Sequence, residues 1–217
     1  MNKLKISQVQ FQASHVPALN AKIIEKSFNN TLKFKPHLIC TPECSNIITN
    51  DKSYLIFNAP YQNTCPVLKM AKDFAKKNKV NINLGSLLLR IKNKSKLVNR
   101  SFFINNYGVI KKTYDKIHMF DVEINNKEKH QESSLFKAGN KIIFTKINNI
   151  KLGMTICYDL RFPNLYRQLA KKDCSIILVP AAFTRPTGKD HWEVLNRSRA
   201  IENLSLIHIS EPTRPVV

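Results

Sequence analysis

The sequence lacks the features of a membrane or secreted protein. Its longest apolar run, residues 176–183, is far shorter than the roughly 20 residues that a membrane-spanning helix needs. The first residues, MNKLKIS, are basic but do not lead into the apolar segment that a secretory signal carries. We therefore expect a soluble, cytoplasmic protein without a membrane partner.

Cysteine pairs of the kind that build metal or disulfide frameworks are also lacking. The five cysteines form no CxxC pair, and their number is odd; they are Cys40, Cys44, Cys65, Cys157 and Cys174. No second cysteine or histidine pair lies close enough in sequence to complete a zinc site. A chain of 217 residues does not need a disulfide scaffold to form a core. Reduced thiols are expected, most of them buried and one of them reactive.

Arginine is sparse, although the formal net charge is +20. The chain has 27 lysines but only 8 arginines, and the lysines are scattered among abundant asparagine and isoleucine. Arginine is the residue that binds bases and phosphates in bidentate fashion, and no basic run alternates with aromatic residues here. We do not expect a nucleic-acid partner. The alternative, a nucleic-acid-binding module, would show DNA affinity that falls steeply with salt.

Helical and strand-like patterns alternate along most of the chain. Alternating or continuous apolar residues predict strands at 4–11, 38–40, 80–89, 98–104, 109–113, 142–147, 150–156 and 175–182. Apolar residues at helical spacing, three times after a proline, predict helices at 17–34, 66–79, 163–172 and 190–203. Hairpins flanked by two βαβ-like passages indicate one α/β domain with a mixed sheet.

The last 14 residues differ in composition from the rest of the chain. Lysine and asparagine disappear after Asn203, and the stretch EPTRP appears. Residues 204–217 resemble translated adapter or vector sequence. We therefore interpret residues 1–203 as the domain, truncated at its C-terminal end, and 204–217 as a non-native tail.

Cys157 stands where a strand-like segment meets a predicted helix. The segment 152–163 reads LGMTICYDLRFP, so a buried strand ends at the cysteine, a polar turn follows and Pro163 begins a helix. A sharp strand-to-helix turn exposes a nucleophilic side chain and frees backbone N–H groups for an oxyanion. The alternative is that Cys157 only packs in the core, as unpaired cysteines often do.

Two further segments carry groups that could activate a thiol. Glu43 follows the predicted strand 38–40, and a half-buried carboxylate at a strand end can act as a general base. Lys116 lies in the stretch YDKIHMFD, in a loop after a hairpin, where an ammonium could hold an anion. Taken alone, each residue would also suit an exposed or capping position.

Together these segments resemble the signature motifs of the nitrilase, or carbon–nitrogen hydrolase, superfamily. The matching stretches are TPE at 41–43, YDKIH at 114–118 and GMTICYDLRFP at 153–163, in the family order of Glu, Lys and Cys. The segment at 131–133 resembles the one that supplies the family's additional glutamate, Glu132. The resemblance extends over residues 4–203. It implies a four-layer α-β-β-α sandwich with mixed sheets, usually assembled as a homodimer or larger homo-oligomer.

The resemblance also implies a mechanism. Glu43 would take the proton of Cys157, and the thiolate would attack an amide carbonyl to give a thioester. Lys116 and the backbone N–H of Tyr158 would bind the oxyanion, while Glu132 would orient Lys116 or the substrate. Water would release a carboxylic acid after ammonia has left. No metal or organic cofactor is expected.

The segments around 117–122, 157–163 and 183–188 are similar to the branch that holds deaminated glutathione amidases and omega-amidases, with a lean toward the former. Substrate contacts are expected from Phe183 and Thr184. Arg161 would brace the turn or pair with a substrate carboxylate, and Asp159 would brace it. His118 and His191 are expected mainly to pack or to form hydrogen bonds. Alternatives are an omega-amidase, another small-amide or carbamoyl hydrolase, and a non-catalytic relative acting as an interaction protein.

Overall fold

The computed structural model describes residues 3–125, 128–183, 187–203 and 206–210. Within these residues, no helix is both long enough and apolar enough to cross a membrane. Helices alternate with strands toward both ends of the described chain, and a run of successive strands stands between these passages, as the sequence patterns predict.

The first sheet has five strands in the order β1-β2-β3-β4-β5. β1, β2 and β3 pair in parallel, whereas β3, β4 and β5 pair in antiparallel fashion, so the sheet is mixed. The strands are β1 (Ile6–Gln8), β2 (Leu38–Cys40), β3 (Asn81–Arg90), β4 (Leu97–Ile104) and β5 (Ile110–Asp115). Because side chains alternate along a strand, Ile39 packs against the helices while Leu38 and Cys40 face the second sheet.

The second sheet has four strands in the order β11-β10-β9-β8, and a small hairpin of β6 and β7 lies between the two sheets in sequence. β9, β10 and β11 are parallel, and β8 is antiparallel to β9. The strands are β6 (Asp121–Asn125), β7 (Glu128–Gln131), β8 (Ile143–Ile147), β9 (Ile150–Met154), β10 (Ile176–Pro180) and β11 (Leu206–Ser210).

Helices cover the outer face of each sheet and complete four layers. They are α1 (Pro17–Thr31), α3 (Pro66–Asn78), α4 (Pro163–Ala170) and α5 (Glu193–Asn203), whereas the short helix α2 (Lys52–Asn58) belongs through Leu55 to a separate apolar cluster with Leu88 and Leu97. α1 and α3 pack on the first sheet through an apolar cluster, which we call the outer core; it includes Ile24, Phe28, Phe74, Ile82 and Phe102. A second apolar cluster joins the two sheets with α4, and it includes Phe103 and Met154.

The predicted fold class is confirmed: this is an α-β-β-α sandwich with mixed sheets. Most predicted elements match within a few residues, but α2 and the β6–β7 hairpin were not predicted. In the tail, residues 204, 205 and 211–217 lie outside the described residues, and Leu206–Ser210 pairs in parallel with β10. The assignment of 1–203 as the domain and of 204–217 as non-native stays a prediction.

Candidate active site

Glu43 lies in a turn that leaves the end of β2 and is held against β3. The hydroxyl oxygen of Thr41 accepts hydrogen bonds from the backbone N–H of Gly85, at 3.0 Å, and from the hydroxyl of Ser45, at 2.9 Å. A side chain at Gly85 would collide with the carbonyl oxygens of Thr41 and Pro42, so this close approach requires glycine. As a result the Glu43 side chain is fixed in the interior, where the residue is only 5% exposed.

Lys116 begins the loop that follows β5, and it is 2% exposed. Its backbone N–H donates to the Asn99 carbonyl at 3.0 Å, which fixes the start of the loop to β4. Its ammonium contacts three carboxylate oxygens: Oε1 of Glu43 at 3.1 Å, and Oε1 and Oε2 of Glu132 at 3.1 and 2.9 Å. An ammonium has three N–H donors, so each has a carboxylate acceptor in this structure.

Both carboxylates that contact Lys116 have a further hydrogen bond that fixes them. The backbone N–H of Phe120 donates to Glu132 Oε2 at 2.7 Å, so the carboxylate that holds Lys116 is itself anchored to the same loop. The side-chain amide of Asn99 donates to Glu43 Oε1 at 3.0 Å. Sequence analysis predicted Glu132 at this site but missed Asn99.

Cys157 stands at the turn between β9 and α4 and has a left-handed backbone with a φ of 49°. This region is unfavourable for any residue with a Cβ, and residues held there cluster at functional sites. A 3-10 turn, Cys157–Arg161, follows, and α4 begins at Pro163. The first backbone N–H groups of a helical turn have no partner within it, so the N–H of Tyr158 can serve an anion.

Asp159 links the turn of Cys157 to the loop of Lys116. The carboxylate is fully buried and accepts hydrogen bonds from the Tyr114 hydroxyl at 2.7 Å and from the Ile156 backbone N–H at 2.9 Å. It also accepts from the backbone N–H of His118 at 3.0 Å and lies 2.7 Å from the Nδ1 atom of that ring. The bracing role expected of Asp159 therefore has a structural basis, and it extends to the residues on both sides of Lys116.

The electrostatic surroundings keep Cys157 protonated and Lys116 charged. Burial raises the pKa of the Cys157 thiol well above its ordinary value; the Glu43 carboxylate raises it further, while Lys116 and a hydrogen bond from the Ala182 backbone lower it. Burial lowers the pKa of Lys116, but the carboxylates of Glu43 and Glu132 outweigh this effect and raise it well above the ordinary value. A thiol in this state needs a base to become a nucleophile.

A cavity of about 320 Å³ opens onto these groups. Its lining includes the five residues that we call the polar cluster: Glu43, Asn99, Lys116, Glu132 and Cys157. Tyr158 and Phe183 also line it, with apolar side chains that include Leu88, Phe120 and Phe136. A cavity of this size suits a small molecule, and its mixture of apolar walls and converging polar groups is typical of ligand sites.

The structure places Arg161, His118 and His191 outside the cavity lining, and one predicted site residue is not described. The Arg161 guanidinium lies 2.8 Å from Nδ1 of His191, and Arg161 is not among the residues that line the cavity. The ring of His118 stacks on Phe162 at 3.6 Å. Thr184 lies outside the described residues. In the described part of the chain, no group of three or more His, Cys, Asp or Glu side chains is arranged to hold a metal ion.

A family model described as carbon–nitrogen hydrolase matches residues 6–204. A protein of Yersinia enterocolitica named deaminated glutathione amidase is 38% identical over 172 residues, which cover 78% of this chain and 60% of that protein. A Dictyostelium discoideum protein of the same name is 36% identical over 214 residues, covering 95% of this chain and 74% of that protein. An omega-amidase NIT2 of Xenopus tropicalis is 29% identical, covering 99% of this chain and 76% of that protein.

The fold matches that of a solved structure, the NitFhit protein of C. elegans, with a TM-score of 0.89 and 29% identity over 98% of this chain and 52% of that one. Nit3 of Saccharomyces cerevisiae, described as a member of branch 10 of the nitrilase superfamily, follows with a TM-score of 0.86 and 25% identity. The match to Nit3 includes 98% of this chain and 77% of the length of Nit3. It therefore spans between about half and three quarters of the length of these relatives.

Proposed function

The chain belongs to the carbon–nitrogen hydrolase family, the nitrilase superfamily, and on this premise we propose that it hydrolyses a small linear amide to a carboxylic acid and ammonia. The observation that carries the proposal is the convergence of a thiol, a carboxylate and an ammonium on one cavity. Glu43, Lys116 and Cys157 come from three loops far apart in sequence, and all three are buried. Even a paired buried charge adds little stability, because the loss of hydration offsets the attraction, so this arrangement favours chemistry over stability as its reason.

The first half-reaction would form a thioester. Glu43 takes the proton of the Cys157 thiol while sulfur attacks the amide carbon, and the carbonyl electrons move onto oxygen. As the oxyanion collapses, the C–N bond breaks and the nitrogen takes the proton from Glu43, so ammonia leaves and the acyl group stays on sulfur. The raised pKa of Cys157 supports this order, because a protonated thiol requires the base at the moment of attack.

Lys116 would stabilise the oxyanion together with the backbone N–H of Tyr158. Because all three ammonium N–H groups have carboxylate acceptors here, one must turn toward the substrate oxygen. The contact with Glu132 Oε1 is the one that can be given up, since Glu132 still holds Lys116 through Oε2. One well-placed donor of this kind contributes roughly 3 kcal/mol to the transition state.

The second half-reaction would return the enzyme to its starting state. Glu43 takes a proton from a water molecule while the oxygen of that water attacks the thioester carbon. The C–S bond then breaks, and the thiolate of Cys157 takes the proton from Glu43, releasing the carboxylic acid. One carboxylate thus serves as base and acid in each half, which requires it to be held without being permanently protonated or neutralised.

The substrate that we favour is a deaminated glutathione, a small acid that carries an amide. Two relatives at 38% and 36% identity bear the name deaminated glutathione amidase, whereas the omega-amidase relative is 29% identical. Phe183 lines the cavity, and Thr184 remains a predicted substrate contact, whereas Arg161, also predicted as one, lies outside the cavity lining beside His191. An omega-amidase or another small-amide hydrolase is the second candidate, since the polar cluster alone does not distinguish between acyl groups.

The test is ammonia release from deaminated glutathione, α-ketoglutaramate and simple aliphatic amides. We expect turnover by the protein, none by Cys157→Ala, and unchanged turnover by Cys174→Ala, which removes a thiol that is also buried but lies away from the cavity. Mass spectrometry of the substrate-treated protein should detect the acyl group on Cys157. Folded protein that releases no ammonia from any amide would favour the rival, a non-catalytic interaction protein.

The cellular setting and the assembly belong to the same proposal. A cytoplasmic location is in keeping with five cysteines, all within the described residues, that form no disulfide. A homodimer or larger homo-oligomer is expected from the family. Light scattering at several protein concentrations would test the assembly.

A further inference from the structure

Asn99 forms hydrogen bonds to two other members of the polar cluster. It lies on β4 and is 2% exposed. Its backbone carbonyl accepts the N–H of Lys116 at 3.0 Å, and its side-chain amide donates to Oε1 of Glu43, also at 3.0 Å. A single residue of the sheet therefore fixes the distance between the strand that leads to Lys116 and the carboxylate of Glu43.

The two oxygens of Glu43 have different surroundings as a consequence. Oε1 accepts from Asn99 Nδ2 at 3.0 Å and from Lys116 Nζ at 3.1 Å. A carboxylate oxygen offers about two lone-pair positions, so these two donors fill Oε1. Both of these donors are on Oε1, so among the described residues Oε2 is the oxygen with room to accept a proton from the thiol.

The orientation of the Asn99 amide is determined by chemistry. A carboxylate only accepts hydrogen bonds, so the NH₂ group must face Glu43 and the amide oxygen must point away. That oxygen, Oδ1, is buried and has no hydrogen-bond partner among the described residues. A buried acceptor without a partner is unfavourable, so the hydrogen bond that the NH₂ group donates to Glu43 is the contact that accounts for an asparagine here.

The Asn99 amide is an uncharged donor, which matters because Glu43 is proposed to act as a base. Lys116 already supplies one positive charge to Oε1. A second cationic donor would hold the carboxylate more strongly and reduce its tendency to take a proton, whereas an amide restrains its position with a weaker, uncharged hydrogen bond.

We propose that Asn99 is a positioning residue of the amide hydrolysis: by occupying Oε1 of Glu43, it turns Oε2 toward the Cys157 thiol as the atom that accepts the proton. This inference rests on the proposed function for its chemistry. It needs no contact between Asn99 and the substrate. Removing the amide donor should therefore slow the chemical step and leave substrate binding nearly unchanged.

The experiment compares Asn99→Ala and Asn99→Asp with the unmodified protein and with Asn83→Ala. Asn83 is the matched control, because it is an equally buried asparagine on the adjacent strand β3 and does not line the cavity. We expect both Asn99 variants to lower kcat by roughly 10²-fold, the loss typical of a misplaced catalytic group, with KM changed less than threefold. Asn83→Ala should retain kcat within threefold.

A second measurement follows the alkylation of Cys157 by iodoacetamide as a function of pH and needs no turnover. Asn99→Asp is nearly isosteric but adds a negative charge beside Glu43, so the half-maximal alkylation of Cys157 should move to higher pH, while Asn83→Ala leaves it in place. Variants of Asn99 with kcat within threefold of the unmodified protein, or an equal loss in Asn83→Ala, would overturn the proposal.

The two proposals fail in different ways. If the unmodified protein releases no ammonia from any amide, the proposed function fails, and the alkylation profiles still show whether Asn99 controls the surroundings of the thiol. If the protein is active but the Asn99 variants match it in kcat and in alkylation, only the inference about Asn99 fails.

Discussion

The outer core and the polar cluster are closed to solvent to a similar degree, but they are built from opposite kinds of side chain. In the outer core, Phe28 and Phe74 meet at 5.1 Å between ring centroids, and the neighbouring side chains are apolar. In the polar cluster, Glu43 and Lys116 are 5% and 2% exposed, and each carries a charge. Burial of the outer core stabilises the folded protein, whereas burial of the charged groups in the polar cluster costs stability.

The difference explains how each region depends on the chain around it. The outer core needs only apolar volume at helical and strand spacing, which local sequence supplies. The polar cluster needs several hydrogen bonds at fixed lengths, and these come from anchors such as Gly85 and Asp159 outside the cluster. Substitutions in the outer core should therefore change stability, and substitutions in the polar cluster should change activity.

The largest effect is expected from Glu43→Gln. The amide cannot accept the thiol proton, so kcat should fall by roughly 10³ to 10⁴-fold, at the upper end of general acid–base catalysis. Lys116 keeps Glu132 as a partner, so the free energy of unfolding should change less than it does in a core variant. Ammonia release and urea unfolding measure the two quantities. The exposed Glu25→Gln on α1 is the control and should leave both unchanged.

A smaller effect, of the opposite kind, is expected from Phe28→Ala in the outer core. Phe28 is fully buried, and its loss should lower the free energy of unfolding by about 3–5 kcal/mol through lost burial and the remaining cavity. Below the unfolding transition, kcat should stay within a few-fold of the unmodified protein.

Phe57→Ala gives the matched comparison, because Phe57 is 79% exposed and its removal should change stability by less than about 0.5 kcal/mol. If Phe28→Ala destroyed activity in protein that is still folded, the separation between the two regions would be wrong.

The same contrast determines what could be predicted from the sequence. The strand Leu38–Cys40 was predicted with its bounds, and α1 and α3 within a few residues, because their apolar residues follow a clear period. α2 was missed because a helix of seven residues shows little periodicity. The capping residue Asp51, which accepts the Tyr54 N–H, was the signal available for it. The β6–β7 hairpin was missed because its two strands are mostly polar and carry few apolar residues.

The site was predicted in part, and for a different reason. Glu43, Lys116, Glu132 and Cys157 were identified from the resemblance of their motifs and the order of those motifs, and the structure brings all four to one cavity. Asn99 belongs to no motif. The signal for it is two polar residues, Asn99 and Ser101, on the face of β4 that also carries Leu97 and Phe103, and only the three-dimensional structure shows which of the two contacts Glu43.

The smallest predicted effect sharpens the comparison, because here the two regions should behave alike. Burial raises the pKa of Cys65, in the outer core, from 9.0 to about 11, although hydrogen bonds from the Leu68 and Val67 backbone lower it. Burial is also the first cause of the raised pKa of Cys157. Between pH 9 and 11 the unfolded thiols lose protons that the folded protein keeps, so the free energy of unfolding must fall as pH rises.

From pH 8 to pH 10, the Cys65 thiol should contribute a loss of roughly 1 kcal/mol and the Cys157 thiol a loss of the same sign, and replacing either with alanine should remove its share. Urea unfolding of Cys65→Ala and Cys157→Ala at both pH values measures it, and only Cys157→Ala should also lose turnover. An unchanged pH dependence in Cys65→Ala would mean that this thiol ionises as readily in the folded protein as in the unfolded one. If both variants lose the pH effect but only Cys157→Ala loses turnover, burial of the thiol cannot explain the activity, because both thiols are buried. The catalytic difference would then lie in the base beside Cys157.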